Sequence, residues 1–309
     1  MTELDSVMLI AFGGPEKPED IRPFLRTVTE GRRISPERVD EVARHYEAIG
    51  GRSPLNELTR RQAAGLEQLL IDEGRSTAVY VGMRNWHPFL RETLAAMKAA
   101  GHRRALGIIL SPFQTEASWG RYVSDVAAAR EKIGQDAPEV LYTPSWSDHP
   151  LYVETMADRA AAALTRLPPG ARAAAHLVFT AHSVPVAMAQ ASPYTAELET
   201  AAGRISSRLG HPRWSVAYQS RSGSPGEPWL EPDIADAIRS LAKEGVKDVV
   251  VVPIGFVCDH VEVLYDLDVE AREVAEQQGL GFHRAPAAND HPRFIAMLAD
   301  LVRRGPADR

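Results

Sequence analysis

The stretch Val249-Val250-Val251-Val252-Pro253-Ile254-Gly255-Phe256-Val257-Cys258-Asp259-His260 starts as an apolar run and ends in a polar turn. A strand from Val249 to Ile254 would be apolar on both faces, so both must be covered, as in a parallel sheet layered between helices. Pro253 and Gly255 interrupt the run, and it is too short to cross a bilayer. Similar runs occur at Val7–Phe12, Ala78–Met83, Ala105–Ser111, Val140–Thr143, Leu177–Ala181, Ser215–Gln219 and Gly281–Arg284. Helical patterns separate them, among them Asn56–Asp72, Pro88–Ala100, Ala117–Ile133, Leu151–Leu167, Thr195–Leu209 and Pro232–Glu244. The alternation predicts an α/β protein with parallel strands.

The strands divide into two equal sets. In each set an early strand runs into a polar turn, Gly13-Gly14-Pro15 in the first and His182-Ser183-Val184-Pro185 in the second. Two similar doubly wound lobes are expected, although the halves share no close sequence repeat. Residues 1–145 form the first lobe and 146–286 the second, with the crossing between Pro144 and Pro150. A final helix, Pro292 to Arg304 within residues 287–309, is expected to pack back on the first lobe. In such sheets ligands bind beyond the carboxyl ends of the strands, which between two lobes means a cleft.

Composition narrows the function classes. The 309 residues carry a net charge of −6, which gives no electrostatic reason to expect nucleic acid. The single cysteine, Cys258, excludes an internal disulfide and any all-cysteine zinc or iron–sulfur site. The start, Met1-Thr2-Glu3-Leu4-Asp5, is acidic and lacks the basic segment and cleavage site of a secretory signal, so a cytoplasmic location is expected.

Five segments hold residues suited to chemistry. Phe179 to Pro185 delivers His182 to the carboxyl edge of a sheet, where an imidazole can face a ligand or be satisfied by backbone. Beyond Asp259-His260, a helix carries Glu262, Asp266 and Glu270 at steps of four, on one drifting face whether the helix is α or π. Such a line suits a divalent cation, and it equally suits a solvated face beside the stripe Val263, Leu267 and Val274. The remaining three are Gly13-Gly14-Pro15-Glu16, Tyr46 to Pro54 with Arg52 and Ser53, and Gln219-Ser220-Arg221 with Pro228-Trp229-Leu230. Paired glycines allow close backbone approach, the second segment also reads as a helix C-cap and restart, and Trp229 also reads as core.

In this order and spacing the segments resemble the ferrochelatase family over nearly the whole chain, from Ala11-Phe12-Gly13-Gly14-Pro15-Glu16 to the last helix. The most specific pieces are Thr180-Ala181-His182-Ser183-Val184-Pro185 and Asp259-His260-Val261-Glu262-Val263-Leu264-Tyr265-Asp266. The resemblance implies a chelatase-like fold: two Rossmann-like lobes, each a four-stranded parallel sheet flanked by helices, with a porphyrin in the cleft. It makes His182 the catalytic histidine and Glu262 the acid facing it across that cleft. His182, Glu262, Asp266 and Glu270 become candidate metal contacts, with Asp266 and Glu270 extending a metal or proton path toward solvent. Asp259 and His260 support that wall, and Phe12, Tyr46, Arg52, Ser53, Arg84, Ser220 and Trp229 lie near the porphyrin. Some bacterial members place a tyrosine where Phe12 stands, so an aromatic oxygen ligand is missing at that position.

The implied activity is insertion of ferrous iron into a porphyrin, with iron a substrate, no cofactor required and no iron–sulfur cluster. Metal entry needs the pyrrole protons to leave and the nitrogen lone pairs to point out of the ring plane, so a neutral imidazole beside a carboxylate suits the task. Whether His182 accepts a proton or ligates iron stays open at this point. A cobalt or nickel tetrapyrrole chelatase and a non-enzymatic porphyrin or metal carrier on the same fold are the rivals. Arg32, Arg33, Arg44 and Arg52 are candidates to read peripheral carboxylates. The segments Gly31-Arg32-Arg33 and Tyr46–Pro54 incline the substrate toward coproporphyrin over protoporphyrin. The chain ends soon after its last helix, and a monomer is expected.

Overall fold

A computed structural model describes residues 4–31, 34–222 and 226–307. Arg32 and Arg33 therefore lie outside the described residues. The strands are β1 (Ser6–Ala11), β2 (Ala78–Met83), β3 (Arg104–Ile109), β4 (Glu139–Tyr142), β5 (His176–His182), β6 (Trp214–Gln219), β7 (Asp248–Val252) and β8 (Gly281–Arg284). They form two four-stranded sheets, ordered β2-β1-β3-β4 and β6-β5-β7-β8, and every pairing within them is parallel. The same strand order is thus used twice without a sequence repeat.

Burial explains why the apolar runs became strands. All of β1 is buried, and Val249 to Val252 of β7 have no exposed surface. In the first unit Met8 and Ile10 pack with Leu90, Leu94, Tyr122 and Val126 of the covering helices. In the second, Val249 and Val251 pack with Ile234, Ile238, Val263 and Leu267. The sheet β7 was expected to reach Ile254 but stops at Val252, because Pro253 has no N–H to give the ladder. The expected helix Ala117–Ile133 begins as a π-turn, Glu116–Gly120, before its α-helical part Arg121–Ile133.

The chain divides into two compact units, one of residues 1–111, 117–146 and 290–309 and another of 112–116 and 147–289. The short piece 112–116, read from sequence as part of the first lobe, lies with the second. There Phe113 meets Tyr194 edge-on, with ring centroids 6.1 Å apart, and the Gln114 N–H donates to Glu197 at 2.9 Å. In the first unit, the helix Pro292–Arg304 lies on the helix Leu55–Asp72. Ile295 reaches within 3.3 Å of where a Gly65 side chain would start, and Arg303 pairs with Glu73 at 2.6 Å.

In each sheet the neighbours of the first strand, β1 or β5, are reached by connections leaving in opposite directions. The crevice beyond their carboxyl ends is the topological switch point, where such sheets hold ligands. In the second unit that point lies between His182, ending β5, and the segment leaving β7. Gly255 makes their approach possible. Its N–H donates to the Thr180 carbonyl at 2.9 Å, and a Cβ there would sit 2.5 Å from Ala181 Cβ and 2.6 Å from Ala181 Cα. Gly255→Ala is expected to lower stability by about 1–3 kcal/mol. The check is a urea unfolding midpoint compared with Gly170→Ala, whose added methyl meets open space and leaves the midpoint unchanged or slightly raised.

Candidate functional site at the strand tips

His182 ends β5 with its ring a third exposed, and its backbone is tightly held. Its carbonyl accepts a bond from the buried Tyr194 hydroxyl at 2.7 Å. Burial pushes the Tyr194 phenol up, so it stays protonated and a donor. The next residue, Ser183, donates its N–H to the Gln219 carbonyl at 2.7 Å and its hydroxyl to the Leu230 carbonyl at 2.9 Å.

The imidazole itself is oriented by one bond. Its Nδ1 lies against the Ser183 carbonyl oxygen. A carbonyl can only accept, so Nδ1 must carry the proton, and in the neutral ring Nε2 is left with its lone pair free. That Nε2 lies 3.7 Å from Glu262 Oε1, with side-chain exposures of 32% and 38%. Both residues belong to the second unit, and they are neighbours. This corrects the expectation that Glu262 faces His182 across a cleft: β5 lies beside β7, so the segment leaving β7 brings Glu262 alongside the histidine.

Glu262 sits in the first turn of the short helix Val261–Leu264, where a carboxylate is favoured by the helix dipole. His260 caps that helix, its Nδ1 accepting the Glu262 N–H at 3.2 Å while its ring meets Phe256 edge-on. Burial pushes the His260 pKa below the ordinary histidine value, which keeps the capping nitrogen unprotonated. Gln219, fully buried and in register with His182, donates its side-chain amide to the Glu262 carbonyl. One residue thus ties the tip of β5 to the helix bearing the acid.

Beyond Tyr265 the chain becomes a π-helix, Asp266–Ala271, with the Glu270 N–H reaching back to the Tyr265 carbonyl at 3.1 Å. Asp266 accepts a bond from the Ser220 hydroxyl, and Ser220 holds a φ of 61°, a left-handed conformation costly for a residue other than glycine. Glu270 is exposed. Among the described residues no three His, Cys, Asp or Glu side chains form a group that could hold a metal ion. His182, Glu262, Asp266 and Glu270 are therefore not gathered into one such group; Glu262, Asp266 and Glu270 follow one another on the helical wall 261–271.

Asp259 anchors the start of that wall. Its carboxylate accepts from Arg284 at 2.9 Å and from Asn289 at 2.9 Å, and its N–H donates to Asn289 at 2.8 Å. Arg284 also makes a two-pronged bond to Asp268 at 2.7 and 2.8 Å. Burial alone would lower the Arg284 pKa, and the bonds and charges of Asp268 and Asp259 more than reverse it. Trp229 is half-buried in a segment bridged to Pro185, and among the described residues its buried indole N–H finds no partner.

The first unit carries its own cluster at the tip of β1. Phe12, the most strand-proximal of these residues, is 37% exposed. Phe24 meets Phe12, Tyr46 and Trp86 edge-on at 6.3, 5.9 and 6.0 Å. Gly13 has a φ of +89°, and a side chain there would strike the Trp86 backbone nitrogen at 3.0 Å. Asn56 grips Gly14 at both its N–H (2.9 Å) and its carbonyl (3.0 Å). Ser53 is buried, with its hydroxyl accepting the Leu55 N–H at 3.3 Å. Arg84 pairs with Asp125 and lies over the Tyr122 ring at 5.4 Å. Arg44 and Arg52 are exposed.

Sequence reasoning did not single out Gln219's amide, Tyr194, Arg284, Phe24, Trp86 or Asn56. A signal existed for Arg284, which ends a strand candidate as His182 does. None existed for Asn56, whose partner lies far along the chain.

Comparisons with known proteins identify the family and the fold. The family model described as Ferrochelatase matches residues 5–305. A coproporphyrin III ferrochelatase of Mycobacterium ulcerans is 44% identical over 306 residues, covering 97% of this chain and 86% of that protein. One from Mycolicibacterium paratuberculosis is 45% identical over 303 residues, covering 97% and 88%. Among solved structures, SirB from Bacillus subtilis with Fe3+ aligns with a TM-score of 0.61 at 10% identity, covering 99% of this chain and 96% of that one. A multi-domain protein of Deinococcus radiodurans with structural similarity to chelatases gives 0.60 at 16% identity, covering 99% and 56%. At these identities the two structures speak to the fold alone.

The hydrogen-bond pattern predicts one tautomer. In protein labelled with 15N-histidine, the neutral form of the His182 ring should carry its proton on Nδ1 and leave Nε2 bare, with His182→Ala used for assignment. The opposite pattern would mean that the Ser183 carbonyl does not set the ring.

Proposed function

The chain belongs to the ferrochelatase family, and from that premise we propose that its porphyrin is coproporphyrin III and that His182 and Glu262 carry the proton transfer. The enzyme inserts ferrous iron into a porphyrin in haem synthesis, a lyase reaction that forms nitrogen–metal bonds. Iron is a substrate. The observation that supports the site is the 3.7 Å separation of His182 Nε2 from Glu262 Oε1, with Nδ1 already committed to Ser183.

Both pyrrole protons must leave as the metal enters. The free Nε2 lone pair accepts a proton, and the resulting imidazolium lies beside the Glu262 carboxylate. Coulomb attraction at that spacing is worth about 1 kcal/mol in bulk water and about 4 kcal/mol at a protein surface. Exposure of both side chains places it toward the lower end. The imidazolium gives that proton to the Glu262 carboxylate, which hands it outward along Asp266 and Glu270, and the freed Nε2 takes the second pyrrole proton by the same route. Carboxylates hold ferrous iron loosely enough to release it, so the same wall serves the arriving ion.

Coproporphyrin III is supported by the names of the relatives at 41–45% identity. It carries propionates where protoporphyrin IX carries vinyls, and guanidinium groups are the side chains that recognise carboxylates in pairs. Arg44 and Arg52 are exposed and suited to this, while Ser53 and Arg84 are bonded within their own unit and shape the wall that Phe12 and Tyr46 also form. Ser220 and Trp229 belong to the second unit, as His182 and Glu262 do. We read the enzyme as a cytoplasmic monomer that requires no cofactor; its lone cysteine cannot build an all-cysteine iron–sulfur site. Among the described residues no helix is long and apolar enough to cross a membrane.

Anaerobic insertion of Fe2+ followed by visible absorption tests both parts. kcat/KM for coproporphyrin III should exceed that for protoporphyrin IX by about tenfold or more; equal or reversed values overturn the substrate assignment. His182→Ala and Glu262→Gln should each lower kcat by about 10²-fold or more with the fold intact by circular dichroism. A parent-like rate in either variant removes that residue from the mechanism.

Replacing Asp266 and Glu270 together by Asn and Gln should raise the Fe2+ concentration giving half-maximal rate. An unchanged metal dependence would return that face to plain solvation.

A further inference from the structure

The acidic segment is bracketed by two carboxylates that meet on one guanidinium. Asp259 stands just before His260 and Glu262, and Asp268 stands inside the π-helix, between Asp266 and Glu270. Arg284 bonds both: Asp259 at 2.9 Å through one nitrogen, Asp268 through two at 2.7 and 2.8 Å. Arg284 is itself fixed, because it ends β8 in register with Val251 of β7 and its side chain is 12% exposed. The arc from residue 259 to 268 is thereby pinned at both ends to the sheet that carries His182.

We propose that Arg284 is a positioning residue, whose clamp on Asp259 and Asp268 sets the place of Glu262 beside His182 and holds the following turn in its π form. Three features carry this. The helix Val261–Leu264 is a single turn, too short to hold its own shape by internal bonds. The π-turn that follows is a form adopted only when surroundings enforce it, and such turns recur at functional sites. The planar fork of arginine can satisfy two carboxylates in different directions at once, whereas an ammonium acts as a point charge. Contacts from β6 and the residue after it, Gln219 to the Glu262 carbonyl and the Ser220 hydroxyl to Asp266, hold only its middle. Arg272 reinforces the Asp268 end, at 3.6 Å, without reaching Asp259.

This inference rests on Glu262 acting in proton transfer, and the experiment separates the two ideas. Arg284→Lys keeps the charge and loses the fork; Asp268→Asn keeps a polar acceptor and leaves the Asp259 contact in place. For Arg284→Lys, kcat should fall by about tenfold or more, because small displacements of a reacting group are costly. The KM for coproporphyrin III should stay within about twofold, since uniform binding is untouched. Amide hydrogen exchange in residues 261–271 should accelerate, with β5 and β7 unchanged. In a Glu262→Gln background the same substitution should cause little further loss of kcat. Asp268→Asn should show the same pattern to a smaller degree, and serves if Arg284→Lys does not fold.

A kcat within about twofold of the parent in the folded variant, unchanged exchange across 261–271, or kcat and porphyrin KM worsening together would overturn the clamp. A full additional loss in the Glu262→Gln background would also overturn it, by showing that Arg284 acts on something else. Parent-like activity of Glu262→Gln alone would instead sink the proton-transfer reading, and the exchange result would still decide whether the clamp exists.

Discussion

The close passage of Gly255 over the end of β5 is the constraint on which the placing of Glu262 beside His182 depends. With no side chain, residue 255 lets the segment leaving β7 bond to Thr180 and lie against Ala181, one residue short of His182. From there the chain runs through Asp259 and His260 into the helix carrying Glu262. A methyl group at 255 would meet Ala181 at 2.5 Å, so the segment could not keep this approach unchanged. Strand order, glycine placement and the His182–Glu262 pair are one chain of cause.

Around that contact the protein fixes direction as well as distance. The Ser183 carbonyl commits Nδ1 of His182, Tyr194 and Gln219 hold the backbone at the strand tip, and His260 caps the helix with an unprotonated nitrogen. Burial keeps the Tyr194 hydroxyl protonated and pushes the His260 pKa down. The nitrogen proposed to accept a proton is the one left over. That division, with backbone and buried groups setting the frame while the half-exposed His182 Nε2 and Glu262 carboxylate face each other, suits a reaction that must move protons outward as a cation comes in.

Much of this was legible in the sequence, for identifiable reasons. Val249 to Val252 and Ser6 to Ala11 are buried on both faces, so their composition alone marks them as inner parallel strands. His182 and Glu262 stood out because strand tips deliver side chains to ligands and because their flanking motifs are specific. What misled was arrangement. Reading Glu262 as opposite His182 ignored that the pattern β2-β1-β3-β4, used twice, puts β5 next to β7. The segment 112–116 moved to the second unit through Phe113 and Gln114, contacts that leave no periodic trace. Asn56 was overlooked because its amide clamps a residue distant in the chain, with nothing in local composition to announce it, and Arg284 was overlooked although its place at a strand end was a signal. Strand boundaries slipped where one residue decided them, as at Pro253.

The central claim is that His182 and Glu262 act as one proton-transfer unit, and a double-mutant cycle on kcat addresses it directly. His182→Ala, Glu262→Gln and the combined variant would be compared for anaerobic iron insertion under saturating substrates. If the pair works as a unit, the combined variant loses about as much as the worse single one, because either change disables the same step. Losses that multiply across the two sites would show that the residues act independently, and would contradict the account.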